Sequence, residues 1–168
     1  MLGAEQNAYF FIAWAISGLL LVIPSATLHS LLAECSYGED LKFNVLRAVK
    51  FIYLLLLPAI IFIFLFGNYL LLIFGKQYAE NSLEVLRILS LASIPYSINA
   101  LYASIKRIKK EIKSLIYLYA GISIITIVAG YLLMWKMRII GVGVAWVLAN
   151  GLVAIFIGLK TSLFTKNN

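Results

Sequence analysis

Five runs of mostly apolar residues, at 8–32, 51–74, 85–105, 115–135 and 139–159, fill most of the chain. Each is near the ~20 residues that an α-helix needs to cross the hydrocarbon core of a bilayer. The longest gap between them, 33–50, is too short for an extramembrane domain. Hydrophobic residues make up 63% of the 168, against roughly 45–50% in a soluble domain. Every helix is therefore greasy on all sides, and lipid is the solvent that suits it. The expected fold is all-α: residues 1–168 form one polytopic bundle of five transmembrane helices.

The first run is not expected to be a cleaved signal peptide. Glu5 precedes it but no Lys or Arg does, and its apolar core exceeds a signal's short h-region. Orientation follows from the basic residues beside the spans. With the N-terminus outside, Lys42, Arg47, Lys50, Lys106, Arg107, Lys109, Lys110, Lys113, Lys160 and Lys166 fall inside. Lys76, Arg87, Lys136 and Arg138 fall outside. Ten against four favours N-out, C-in, in a cell membrane. The net charge of +7 thus reads as a topology signal, and nucleic-acid binding is not expected.

The stretch 83–113 organises the rest. Glu84 and Arg87 open it, and a run of basic residues closes it. At 100° per residue, Ser90, Ser93, Ser97, Ala100 and Ser104 share one face. That face suits a protein neighbour or a hydrated gap, and large apolar side chains cover most of the remainder. Pro24, Pro58 and Pro95 each remove a backbone donor within a span, so kinks are expected there. They suit either ordinary membrane helices or a bundle that rocks. Gly141, Ala145 and Ala149, four residues apart, form a ridge for close helix contact, as do Thr126 and Gly130. The sequence Gly141-Val142-Gly143-Val144-Ala145 superficially matches a nucleotide-binding turn. No strand precedes it and no acidic residue follows, so that reading fails.

Few residues offer chemistry. With one cysteine, Cys35, and one histidine, His29, neither an intramolecular disulfide nor a Cys/His metal cluster can form. His29 reads as an interfacial histidine, and Glu34, Glu39 and Asp40 as solvated loop charges. No catalytic residues, metal or cofactor are expected, and the chain does not read as an enzyme. Arg87 either pairs with Glu84, three residues before it, or faces a cavity as a cation for a negatively charged substrate group. Asn99, on the face opposite the serines, either joins helices or lines a pathway. Lys106, Arg107, Lys109, Lys110 and Lys113 form a cytoplasmic collar for anionic lipid. A sharper alternative makes this collar a guide for pyrophosphate-linked lipid headgroups.

Several motifs carry a family resemblance. Phe74-Gly75-Lys76-Gln77-Tyr78-Ala79, Leu86-Arg87-Ile88-Leu89 and Ile94-Pro95-Tyr96-Ser97-Ile98-Asn99-Ala100-Leu101-Tyr102 precede the basic turn. Ile140-Gly141-Val142-Gly143-Val144-Ala145-Trp146 stands near the end. Together these resemble the polysaccharide biosynthesis membrane proteins, the lipid-linked oligosaccharide flippases related to the multidrug and toxic-compound extruders. The resemblance implies helices from the second of two lobes around a cavity that opens alternately to each side. It also implies a lipid-linked saccharide as cargo, membrane lipids as surroundings, and a second lobe from another chain or copy. The alternative is a truncated, non-transporting fragment or assembly subunit that keeps only the fold. If the lipid-solvated reading holds, the purified chain will be monodisperse in detergent and will aggregate in plain buffer; size-exclusion chromatography in the two media checks this.

Overall fold

The computed structural model describes residues 3–36 and 40–165. Glu39 and Lys166, both given roles above, lie outside them. Four helices follow in order: α1 Ala4–Ser36, α2 Leu41–Leu72, α3 Lys76–Ile108 and α4 Ile112–Thr165. All four are long and apolar enough to cross a membrane, which fits a multi-pass membrane protein.

The expected fourth and fifth runs both fall in α4, which is why four helices stand where five were expected. α4 is nonetheless not one rod. Arg138 departs from helical geometry, at φ 50° and ψ −130°, and the chain reverses there. In a straight helix, residues 121 and 153 would be about 48 Å apart at 1.5 Å per residue. Instead, a Cβ placed on Gly121 would lie 4.0 Å from the Val153 side chain. One on Gly130 would lie 3.8 Å from the Ala145 Cβ. Residues 112–137 and 139–165 are thus two antiparallel arms. Leu118 and Ile122 of the first arm share an apolar cluster with Ala149 of the second and Ala103 of α3.

The helices also begin earlier than the apolar runs. Residues 41–50 are not a connection but the first turns of α2. Asp40 starts them: its carboxylate accepts the Lys42 backbone N–H at 3.0 Å, an N-cap rather than a free loop charge. Asn44 and Ala48 then face inward while Lys42, Arg47 and Lys50 face out. Apolarity marks where a helix can meet lipid. It does not mark where the helix ends.

Farther along α2, the buried positions are Ile52, Leu56, Ile60, Ile63, Gly67 and Leu71, a single stripe at three- and four-residue spacing. The opposite side shows Leu54, Ile61, Leu65 and Tyr69, each between 58% and 67% exposed. Fully burying one such side chain is worth about 1.5–3 kcal/mol. A stripe of them facing water would favour aggregation; facing lipid, it is already in an apolar medium.

α3 is the centre of the bundle. It packs against each of the other three helices, whereas among the described residues the backbones of α2 and α4 do not come close. It is the least apolar helix and the most buried. The side it leaves open to lipid is therefore narrow. Between residues 83 and 105 only Glu84, Leu91 and Ile98, seven residues apart, are exposed, a strip one side chain wide. All three prolines lie within continuous helix, and the sharp reversal falls at Arg138.

The reversal yields a paired expectation. A non-glycine residue held in the left-handed region carries strain of order 1–3 kcal/mol, so Arg138→Gly should stabilise the fold by about 1 kcal/mol. A Cβ on Gly141 would meet the Leu133 carbonyl oxygen at 2.5 Å, a contact that only a backbone shift relieves. Gly141→Ala should cost about 1–3 kcal/mol by overpacking. Unfolding by denaturing detergent from mixed micelles measures both.

Candidate functional site

The polar side chains of α3 form the connected interior of the bundle. Ser82 donates to the Tyr9 carbonyl of α1 at 3.0 Å. The Ser97 hydroxyl meets the Tyr53 hydroxyl of α2 at 3.2 Å. Asn99 donates from Nδ2 to the backbone oxygen and Oδ1 of Asn150 in α4, at 3.0 and 3.2 Å. Asn150 in turn donates to the Trp146 carbonyl of its own helix at 3.0 Å. α3 thus reaches each neighbour through a polar side chain.

The serines expected to share a face are placed as follows. Ser90, Ser93, Ser97 and Ser104 are buried, and Ala100 is half-buried. Ser90, Ser93 and Ser97 donate back to carbonyls three or four residues earlier, which satisfies their hydroxyls without water. Asn99, on the other side, faces α4. It sits in a helix contact rather than on an open pathway. Its Oδ1 is buried and lacks a hydrogen-bond donor.

Arg87 differs from both alternatives read from the sequence. Because α3 begins at Lys76, Arg87 is about three turns inside the helix, not one. Glu84 is exposed, and the only salt bridge among the described residues joins Lys106 and Glu111. Arg87 instead donates to the Phe64 carbonyl of α2 at 3.1 Å and lies 5.7 Å from the centre of the Phe64 ring. A guanidinium can serve a carbonyl and an aromatic face together, because its charge is spread over a plane. Nε is buried without a partner. The side chain fastens α2 to α3.

The basic collar caps the turn from α3 to α4. Lys106 bonds to the Glu111 carboxylate at 2.5 Å and lies 5.4 Å from the centre of the Tyr102 ring. That hydrogen bond from Lys106 is the main reason the Glu111 carboxyl is held below its ordinary range. A carboxyl with a depressed pKa stabilises the fold above its unfolded-state pKa and loses that contribution as the solution is acidified through its folded-state value. Arg107 donates to the Tyr119 hydroxyl at 3.1 Å. Lys109, Lys110 and Lys113 are exposed.

Two clefts open at this end of the bundle. One of about 360 Å³ lies between α1 and α2, with Ser30, Glu34, Asn44 and Arg47 in its walls. The other, about 210 Å³, lies between α1, α3 and the first arm of α4, and includes His29 and Arg107. At the opposite end, Tyr9 stacks edge-on against Tyr78 with ring centres 5.1 Å apart. Trp14 likewise meets Trp146 at 5.3 Å. Arg47 of α2 and the 106–113 turn therefore lie at one end, while Lys76, which opens α3, lies at the other.

The small-residue ridge lies in the hairpin. Gly141 approaches the Leu133 backbone, Ala145 faces Gly130, and Ala149 joins the cluster with Ala103. Gly143 lies beside this ridge, and a Cβ there would meet Ile88 of α3 at 3.6 Å. The two glycines let the second arm pack on two sides. Asn150, the partner of Asn99, and Tyr53, the partner of Ser97, do not stand out in the sequence. A polar residue in each of two apolar runs is a weak signal of pairing, because the register between runs is not written in either.

No protein-family model, curated protein or solved structure matches the chain.

The Asn99–Asn150 contact predicts a non-additive pair. Interhelical hydrogen bonds of this type contribute about 1 kcal/mol in membrane proteins. Asn99→Ala and Asn150→Ala should each destabilise by about that much, and the double variant by little more than either alone. A double-mutant cycle in mixed micelles reads the coupling; full additivity would mean the two side chains act separately.

Proposed function

We propose that the chain is a membrane transporter component of the kind that flips lipid-linked oligosaccharides, working by alternating access together with a second bundle. The observation that carries this reading is the contrast between a closed interior and an apolar exterior. Among the described residues, α3 is packed by its three neighbours and the sizeable clefts are peripheral. A saccharide path therefore has to form between this bundle and another, supplied by a second copy or a different chain. Rocking of one bundle against the other would pass the polar headgroup through a hydrated gap while the lipid tail stays in the bilayer.

In this reading the two arms of α4 cross separately, giving five crossings. Arm 112–137 is about 39 Å long at 1.5 Å per residue, ample for a core of ~30 Å. An odd number of crossings puts the termini on opposite sides. The gathering of Arg47 and the 106–113 turn at one end supports N-out, C-in. The cargo class rests on the motifs that resemble those of the flippases. A non-transporting fragment or assembly subunit is the second reading, favoured by Arg87 and Asn99 being engaged in helix contacts.

Two measurements separate these readings. In a Cys35→Ser background, Lys110→Cys should react with an impermeant thiol reagent only after cells are opened, and Lys136→Cys in intact cells. Vesicles containing the chain, with and without co-expressed partners, should move a fluorescent lipid-linked sugar between leaflets. Correct topology without movement would favour the assembly subunit.

A further inference from the structure

The smaller cleft at the basic end has the chemistry of an anion site. Its position follows from the α3 sequence. Tyr96, Ala100, Ala103 or Ser104, and Arg107 recur at three- or four-residue spacing and lie on one helix face. Ala100 and Ala103 leave a hollow between the two large side chains at the ends of that stripe. Ser25 and His29, one turn apart on α1, line the facing wall, and Tyr119 closes it from α4. Ser104 is buried at 4% exposure, whereas His29, Arg107 and Tyr119 are exposed at the mouth. The volume, about 210 Å³, is below the ~300–1,000 Å³ of sites for drug-sized ligands. It suits a small headgroup, not a chain of sugar rings.

The donor set fits phosphate. A guanidinium offers a planar fork of N–H donors matched to phosphate oxygens. The hydroxyls of Ser25, Tyr96, Ser104 and Tyr119, and the His29 ring, supply further donors around one hollow. Arg107 is held toward the site by its bond to Tyr119. Among the described residues no carboxylate lines this cleft, unlike the larger one, where Glu34 would repel an anion.

We propose that this cleft binds the phosphate of one anionic phospholipid headgroup. A collar of exposed lysines attracts many anionic lipids loosely, each held by screened charge. A cleft with an arginine, hydroxyls and a buried floor retains one. Lys109 and Lys110, exposed beside it, raise the local concentration of such lipids and leave the bound one to Arg107. This inference rests on the membrane reading above but not on transport.

Native mass spectrometry of the full chain in mild detergent tests it, with phosphatidic acid as probe and phosphatidylcholine as neutral control. One phosphatidic acid should be retained per chain. Arg107→Gln should weaken retention tenfold or more and Ser104→Ala about threefold, whereas the double variant Lys109→Gln/Lys110→Gln should change it less than twofold. Circular dichroism checks that each variant folds, and Ser104→Ala carries the test should Arg107→Gln unfold. Retention that survives Arg107→Gln in a folded chain, or that disappears with the two lysines, would place the lipid on the collar and overturn the proposal. Displacement by inorganic phosphate at matching concentration would assign the site to a free anion and overturn the lipid assignment. Extraction of the chain from membranes by alkaline carbonate would sink the membrane reading itself, independently of any lipid titration.

Discussion

Polar side chains placed inside an apolar bundle have to find partners there, since neither lipid nor a dry core offers any. α3 is built around that requirement. It holds buried serines and an asparagine in the middle of a chain that is otherwise overwhelmingly apolar. Some of these groups bond to carbonyls of their own helix, and others reach across to α1, α2 and α4. The second kind fixes register, because a shift of one residue would leave both partners unpaired. The hydrophobic effect cannot supply this specificity between helices already surrounded by lipid tails. The least apolar helix sits at the centre for that reason.

The other helices are arranged by what α3 leaves free. α2 gives one stripe to the bundle and turns Leu54, Ile61 and Leu65 outward. α4 folds back at Arg138, so that small residues of one arm meet the other arm and α3 at once. Gly141 permits the first approach and Gly143 the second. Arg87 adds a charged fastening between α3 and α2, bridging a carbonyl and an aromatic ring. Charge otherwise gathers at the helix ends, where the Lys106–Glu111 pair and the Arg107–Tyr119 bond shape the turn between α3 and α4.

The split between interior and rim bears on function. The interior is committed to packing, and Arg87 and Asn99, the residues most suggestive of a pathway, are occupied by helix contacts. The two polar clefts lie at the basic end. The transport path we propose would therefore run between this bundle and a partner, and the proposed lipid site would lie on the rim.

The one-dimensional pattern of apolar runs determined a great deal by itself. It dictated helices throughout and a lipid-compatible exterior, since a helix apolar on every side has no other stable setting. It also marked Ser90, Ser93, Ser97 and Ser104 as one polar stripe, because helical periodicity is local. The true helix ends at Asp40 and Lys76 were less legible, as charged turns continue a helix without extending its apolar run. The break between the runs 115–135 and 139–159 was legible. Only the tertiary structure decided that this reversal rests on a single strained residue, Arg138, that Arg87 serves Phe64 rather than Glu84, and that Asn99 finds Asn150. It alone brought His29 beside Arg107 and Tyr119. Each of these depends on which helix lies beside which and at what height, and the periodicity of a single helix does not contain that information.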